Sequence, residues 1–178
     1  MVEQKITLTE INTLEQESFV QALEGLFEGP PWIVTSAWSL RPFASVDAFY
    51  RALCSIMYEA SIEQQEALLN AHPDLVGRAA LAGTLSPAST GEQAAAGLDR
   101  LTPEEITAFQ RYNQEYRARF GFPFVICARE NKKDSILAGF QTRLAHTRAQ
   151  EINLALAEVA KICALRLADL VEIEPSQN

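Results

Sequence analysis

The chain holds only two histidines, His72 and His146. His72 lies in Ala71-His72-Pro73-Asp74-Leu75. A residue before proline is pushed out of helical geometry, so a helix over 62–70 should stop here and leave the imidazole at a helix-to-loop junction. With an ordinary pKa of about 6.5, such a group can give or take a proton near neutrality, and the C-terminal end of a helix favours its charged form. The same position also suits a plain capping or surface histidine. His146, among Arg143, Thr147 and Arg148, reads as a solvated helix residue.

Arg166 stands out by its spacing. Ile152, Leu156, Val159, Cys163 and Leu170 recur at steps of four, three, four and seven, and splitting the seven as three plus four lands on Arg166. An arginine thus sits on the apolar stripe of a helix that should face the core. A buried guanidinium needs a partner. That partner is either a buried carboxylate, in a structural ion pair, or an anionic group of a ligand gripped by the planar fork.

Glu92 closes the stretch Ser89-Thr90-Gly91-Glu92, which has the S-x-x-E form of a capping box before an Ala-rich run. On that reading it serves the helix start. The alternative is a carboxylate that accepts hydrogen bonds from amide-type N–H groups of a ligand, beside helix-terminal amides that would favour an anion. The chain contains no Walker A loop, GxGxxG, HExxH or GxSxG pattern. Cys54, Cys127 and Cys163 form no CxxC pair and are odd in number, so neither a metal site nor a disulfide framework is expected. Each lies among apolar residues, where a free cysteine packs as a small hydrophobe, and a reducing compartment fits best.

The elements that must position these groups are helical. Phe49, Leu53, Ile56 and Met57 recur at helical steps after Ser45, a plausible helix start. Pro30-Pro31 should close the first helical region. Thr102-Pro103-Glu104-Glu105 reads as a capping box with proline at the first helical position. Asp134 is the expected cap of a helix beginning near Ser135, and 135–172 should be helical almost throughout, kinked near 146–150. No strand alternation is evident, and 123–128 is an apolar run too short to assign. The expected fold is an all-α, single-domain bundle of about eight helices over 1–178.

Composition bounds the function. At 178 residues and 48% apolar content the chain can bury a core of its own. Its 15 Lys and Arg against 23 Asp and Glu give a net charge of −8, which argues against a nucleic-acid binder. No apolar run reaches the length of a membrane span, and neither the N-terminal MVEQKITLTE nor the C-terminal IEPSQN reads as a targeting signal, so the cytoplasm is the expected compartment.

Together the motifs RPFAS at 41–45, AHPDLVGR at 71–78, GTLSPASTGEQAAAGLD at 83–99, YRARFGFPFVICARE at 116–130, RLAHTRAQE at 143–151 and KICALRLADLV at 161–171 resemble the OHCU decarboxylase family. The resemblance covers nearly all of the chain after residue 40. It implies a helical homodimer that converts 2-oxo-4-hydroxy-4-carboxy-5-ureidoimidazoline to (S)-allantoin without metal or organic cofactor. It also implies His72, Glu92 and Arg166 as catalytic residues. Substrate contacts would fall on Pro73, on Ser89, Thr90, Gly91, Glu92 and Gln93, and on Phe124, Val125, Ile126, Cys127 and Ala128. Two positions depart from the family pattern: His146, where Asn is more usual, and Gly91, where a larger residue is usual. A related ureido or imidazoline substrate is one competing expectation; a helical binding module without chemistry is the other.

Overall fold

A computed structural model describes residues 5–172; residues 1–4 and 173–178, on which part of the targeting reading rests, lie outside the described residues. The described chain runs β1 (Ile6–Thr7), α1 (Leu8–Thr13), α2 (Gln16–Leu23), α3 (Trp32–Ala37), α4 (Val46–Glu59), α5 (Ile62–Asn70), α6 (Arg78–Leu81), α7 (Pro87–Ala95), α8 (Pro103–Phe120), α9 (Lys133–Arg143), α10 (Arg148–Leu170) and β2 (Val171–Glu172). Single 3-10 turns add 24–26, 38–40 and 128–130. The fold is α-helical, with ten α-helices among the described residues rather than about eight. The surplus comes from pieces such as α1, α3 and α6, of six, six and four residues, too short to show a 3.6-residue period. β1 and β2 form one parallel two-residue pair, equally invisible as alternation.

Local signals act where they were expected. The Ser45 hydroxyl accepts the Ala48 N–H at the start of α4. Thr102 Oγ1 accepts the Glu105 N–H while the Glu105 carboxylate accepts the Thr102 N–H, with Pro103 opening α8. α5 ends at Asn70, two residues before His72. Three expectations change. The chain leaves helix between α9 and α10, at 144–147, so 135–172 is not one kinked helix. Asp134 is the second residue of α9 and not its cap; Ser135 Oγ instead accepts the Lys132 N–H at 3.0 Å. Ser89 does not start α7. Ser86 does, its hydroxyl accepting the Ser89 N–H at 3.1 Å with Pro87 in the first helical position. Proline needs no donor there and is pre-set for helical φ, so the earlier start wins.

The chain divides into two compact units, residues 1–61 with 160–178, and residues 62–159. In the first, Phe49 packs against Phe43 and Phe19 at ring distances of 4.6 and 6.1 Å, among buried Leu23, Leu53, Met57 and Cys163. Arg41 binds the exit of α1: its Nη1 donates to the carbonyls of Asn12 at 3.0 Å and Leu14 at 2.7 Å, and its guanidinium lies 4.7 Å from the Trp38 ring. In the second unit an aromatic cluster forms the core. Phe124 stacks on Phe140 at 3.9 Å, and Tyr116 meets Phe120, Phe122 and Phe124 edgewise or tilted. Gly121 lets the chain turn off α8 into this cluster at a left-handed φ of 84°. Among the described residues no helix is long and apolar enough to cross a membrane.

Candidate active site

α5 delivers His72 as the X-Pro rule requires. The imidazole is buried, and its Nδ1 lies 2.9 Å from the Leu68 carbonyl. A carbonyl only accepts, so Nδ1 carries a proton in this contact, which fixes the orientation of the ring. The loop beyond is held from three sides. Val76 N–H donates to Gln93 Oε1 at 3.1 Å, Asn113 Nδ2 donates to the Leu75 carbonyl at 2.8 Å, and Arg117 Nε donates to Asp74 Oδ1 at 2.8 Å. Val76 sits at φ 53°, a left-handed conformation that a β-branched side chain resists. A cleft of about 490 Å³ lies against this loop, lined by Pro73, Asp74, Gly77, Arg78, Ala79, Ala82 and Thr84.

Because Ser86 caps α7, Glu92 lies in the body of the helix and serves no cap, and Gly91 is a helix residue. The amides expected to stand free at the Ser89 end are consumed: Ser89 N–H by Ser86 Oγ, Thr90 N–H by the Ser86 carbonyl at 2.9 Å. Helical periodicity then sorts the contiguous stretch. Ser89 and Gln93 are buried and Glu92 half-buried, at i, i+4 and i+3 on one face, while Thr90 and Gly91 are exposed. Gln93 uses its oxygen on Val76, so the planar amide turns its Nε2 donors to the other side.

The third stretch runs beside α7. Lys132 Nζ donates to the Ala95 carbonyl at 2.6 Å and Lys133 N–H to the Ala96 carbonyl at 3.2 Å. Of 124–128, four residues are buried and Ile126 is half-buried. Cys127 N–H is taken by Glu158 Oε2 at 2.7 Å, so this amide does not stand free for a ligand. Burial pushes the Cys127 thiol above its ordinary range, and the Glu130, Glu158 and Glu92 carboxylates push the same way against the Glu130 backbone N–H. Cys127 therefore stays a neutral thiol at physiological pH, in keeping with a packing role. α7 also packs on the 128–130 turn into which this segment runs. Loop, helix face and segment thus meet within the second unit.

Behind the segment lies a buried network that sequence reasoning missed. Glu151 is wholly buried; its Oε2 accepts Arg143 Nε at 2.8 Å and the Tyr116 hydroxyl, and its Oε1 lies 2.7 Å from His146 Nδ1. His146 is accordingly off the helix, in the break between α9 and α10, and bonded to a buried carboxylate. Burial raises the Tyr116 phenol, while the charge of Arg143 works the other way. The signal for Glu151 and Glu158 was a second row on α10, one residue before the stripe that exposed Arg166: 151, 155, 158, 162 and 166 are all buried.

Arg166 belongs to the first unit and is buried there. Its Nη2 donates to Glu28 Oε1 at 2.9 Å and its Nη1 to the Gly25 carbonyl at 3.1 Å. This is the carboxylate partner that a structural ion pair requires.

Comparison with known proteins gives one answer. The OHCU decarboxylase family model matches residues 12–168. Over 165 residues the chain is 42% identical to the 2-oxo-4-hydroxy-4-carboxy-5-ureidoimidazoline decarboxylase of Haloferax volcanii, across 93% of this chain and 96% of that protein. Over 165 residues it is 39% identical to the protein of that name from Amia calva, across 93% and 94%. A crystal structure of (S)-allantoin synthase superposes with a TM-score of 0.74 at 25% identity over 94% of this chain, which spans about half (54%) of that one. OHCU decarboxylase crystallised in the presence of (S)-allantoin shares the fold, with a TM-score of 0.69 at 20% identity over 88% of this chain and 98% of that one.

Proposed function

The chain belongs to the OHCU decarboxylase family, and on that premise we propose how its own residues carry the reaction. It is a carboxy-lyase that decarboxylates 2-oxo-4-hydroxy-4-carboxy-5-ureidoimidazoline toward allantoin in urate breakdown. One ring carbon of this substrate bears both carboxylate and hydroxyl; its neighbour carries the ureido group. Cleavage of the bond to the carboxylate releases CO2 and leaves its electron pair on the ring, delocalised toward the neighbouring carbon and its nitrogen. A proton then adds to the ureido-bearing carbon, and the hydroxyl gives up its proton to become the carbonyl of allantoin.

In our reading His72 Nε2 draws the hydroxyl proton and returns a proton to the ring carbon from one face, yielding (S)-allantoin. Glu92 accepts the ureido N–H groups, and the Nε2 donors of Gln93 meet a ring carbonyl. Pro73, Ser89 and the 124–128 segment complete the contacts. Stabilisation of the developing charge by preorganised donors suits this reaction. The observation that carries the reading is the buried imidazole of His72, whose Nδ1 is held 2.9 Å from the Leu68 carbonyl, so that the ring is fixed in orientation beside Pro73. Family resemblance gives Arg166 a part in the reaction, whereas its bond to Glu28 suits a structural one. R166M separates them: lower melting temperature with unchanged allantoin affinity means structure, the reverse means substrate.

The finer statements belong to the same proposal. The chain works as a homodimer in the cytoplasm, a reducing compartment that suits its three free thiols; sedimentation at micromolar concentration and cell fractionation test these points. The deciding assay uses freshly generated substrate and follows allantoin by circular dichroism, because spontaneous decay gives racemic product. His72→Asn should abolish enantioselective turnover and leave the helical spectrum intact. Near-normal turnover by H72N with the product's handedness kept would remove His72 from the mechanism.

A further inference from the structure

We propose that Arg143 and Glu158 are positioning residues that turn the N–H and C=O of Ile126 toward the substrate, as a fixed donor and acceptor for a cyclic N–H–C=O edge. The inference rests on the reading that 124–128 contacts substrate, and it says which backbone groups do so and what aims them.

Two buried side chains grip the backbone on either side of Ile126. Arg143 Nη1 donates to the Val125 carbonyl at 2.7 Å, and Glu158 Oε2 accepts the Cys127 N–H at 2.7 Å. Both adjoining peptide bonds are trans, the single cis bond among the described residues being Arg41–Pro42. In a planar trans peptide the C=O and N–H point in opposite directions. The Ile126 N–H shares a plane with the Val125 carbonyl, so it points away from Arg143. The Ile126 carbonyl shares a plane with the Cys127 N–H, so it points away from Glu158. Neither group of Ile126 is hydrogen-bonded within the described residues, and Ile126 is the one residue of 124–128 that is not fully buried.

The anchors also set strength. A guanidinium on the Val125 oxygen draws electron density from that peptide and makes the Ile126 N–H a better donor. A carboxylate on the Cys127 N–H makes the Ile126 carbonyl a better acceptor. The Arg143 anchor is itself immobilised: Glu151 holds its Nε, and its guanidinium lies 4.2 Å from the Phe124 ring centre. One residue offering both an N–H and a C=O matches a ring that offers C=O and N–H side by side, as in a hydantoin or imidazolone.

The test combines kinetics with amide NMR of the full chain. In 15N-labelled protein, hydantoin and then allantoin should shift the Ile126 amide more than those of Val125 or Cys127. E158Q should move the Cys127 amide proton upfield. E158L should raise KM about tenfold or more, with kcat changed less, and E158Q, which keeps an acceptor, should recover most of that loss. If E158L fails to fold, E158Q and the wild-type titration decide. An Ile126 amide that ignores both ligands, or an E158Q Cys127 amide that does not move, overturns the inference even where the wild type makes chiral allantoin. A wild type without enantioselective turnover overturns the functional reading instead, and the hydantoin titration then still decides whether Ile126 is presented.

Discussion

Val76 and Gln93 are joined by a hydrogen bond from the Val76 N–H to Gln93 Oε1, 3.1 Å long, across 17 residues of chain. The bond ties a β-branched residue held at φ 53° to the buried face of α7. A left-handed non-glycine residue costs about 1–3 kcal/mol and persists only where its surroundings enforce it. Here the enforcement keeps the loop after His72 against the helix that carries Glu92.

Removing the acceptor should therefore release the loop. Gln93→Leu leaves the Val76 N–H without a partner and should cost about 1–3 kcal/mol, or roughly 3–10 °C of Tm. Gln93→Glu keeps an oxygen and should lose less. Thermal melts of the two variants check the order; equal losses would mean that bulk at 93, and not the acceptor, holds the loop.

The buried pair Arg143–Glu151 should be the most costly to break. Arg143 is 5% and Glu151 0% exposed, and three side chains share the carboxylate. Glu151→Gln strands the guanidinium without its charge partner, worth about 3–5 kcal/mol. Denaturant unfolding should show the midpoint falling with the slope m unchanged. Tyr116→Phe removes one donor only and should cost about 1–3 kcal/mol.

Gly91 lies in the body of α7, exposed, and a Cβ added there meets nothing within 4 Å. Gly91→Ala should stabilise the protein by about 0.5–1 kcal/mol through the backbone freedom glycine loses on folding. A melting temperature raised by a few degrees checks this; a fall would place Gly91 outside regular helix.

Burial raises the thiols of Cys54, Cys127 and Cys163 above their ordinary range, most of all Cys163. With the folded value above the unfolded one, the unfolded chain sheds its protons first as pH rises. The stabilisation is complete below the unfolded thiol pKa of about 8.5 and declines above it toward the folded values. Tm should therefore drop from pH 8 to pH 10, and Cys163→Ala should flatten that alkaline decline. An unchanged slope in the variant would show that Cys163 does not drive it.

What the sequence determined by itself is local. The Thr102 box, the Ser45 cap and the end of α5 before His72-Pro73 each depend on groups within four residues, whose geometry the chain cannot escape. Apolar spacing also put Arg166 in the core, while Glu151 and Glu158, each one residue before a member of that stripe, went unread. Even local signals can compete. Ser89-x-x-Glu92 lost to Ser86-Pro87 three residues upstream, which moved Glu92 from a cap to a helix face. Only the tertiary structure decided which side chains meet. Val76 finds Gln93, Arg143 finds the Val125 carbonyl, and Cys127 finds Glu158, because burial obliges each polar group to take a partner and packing chooses that partner from remote parts of the chain.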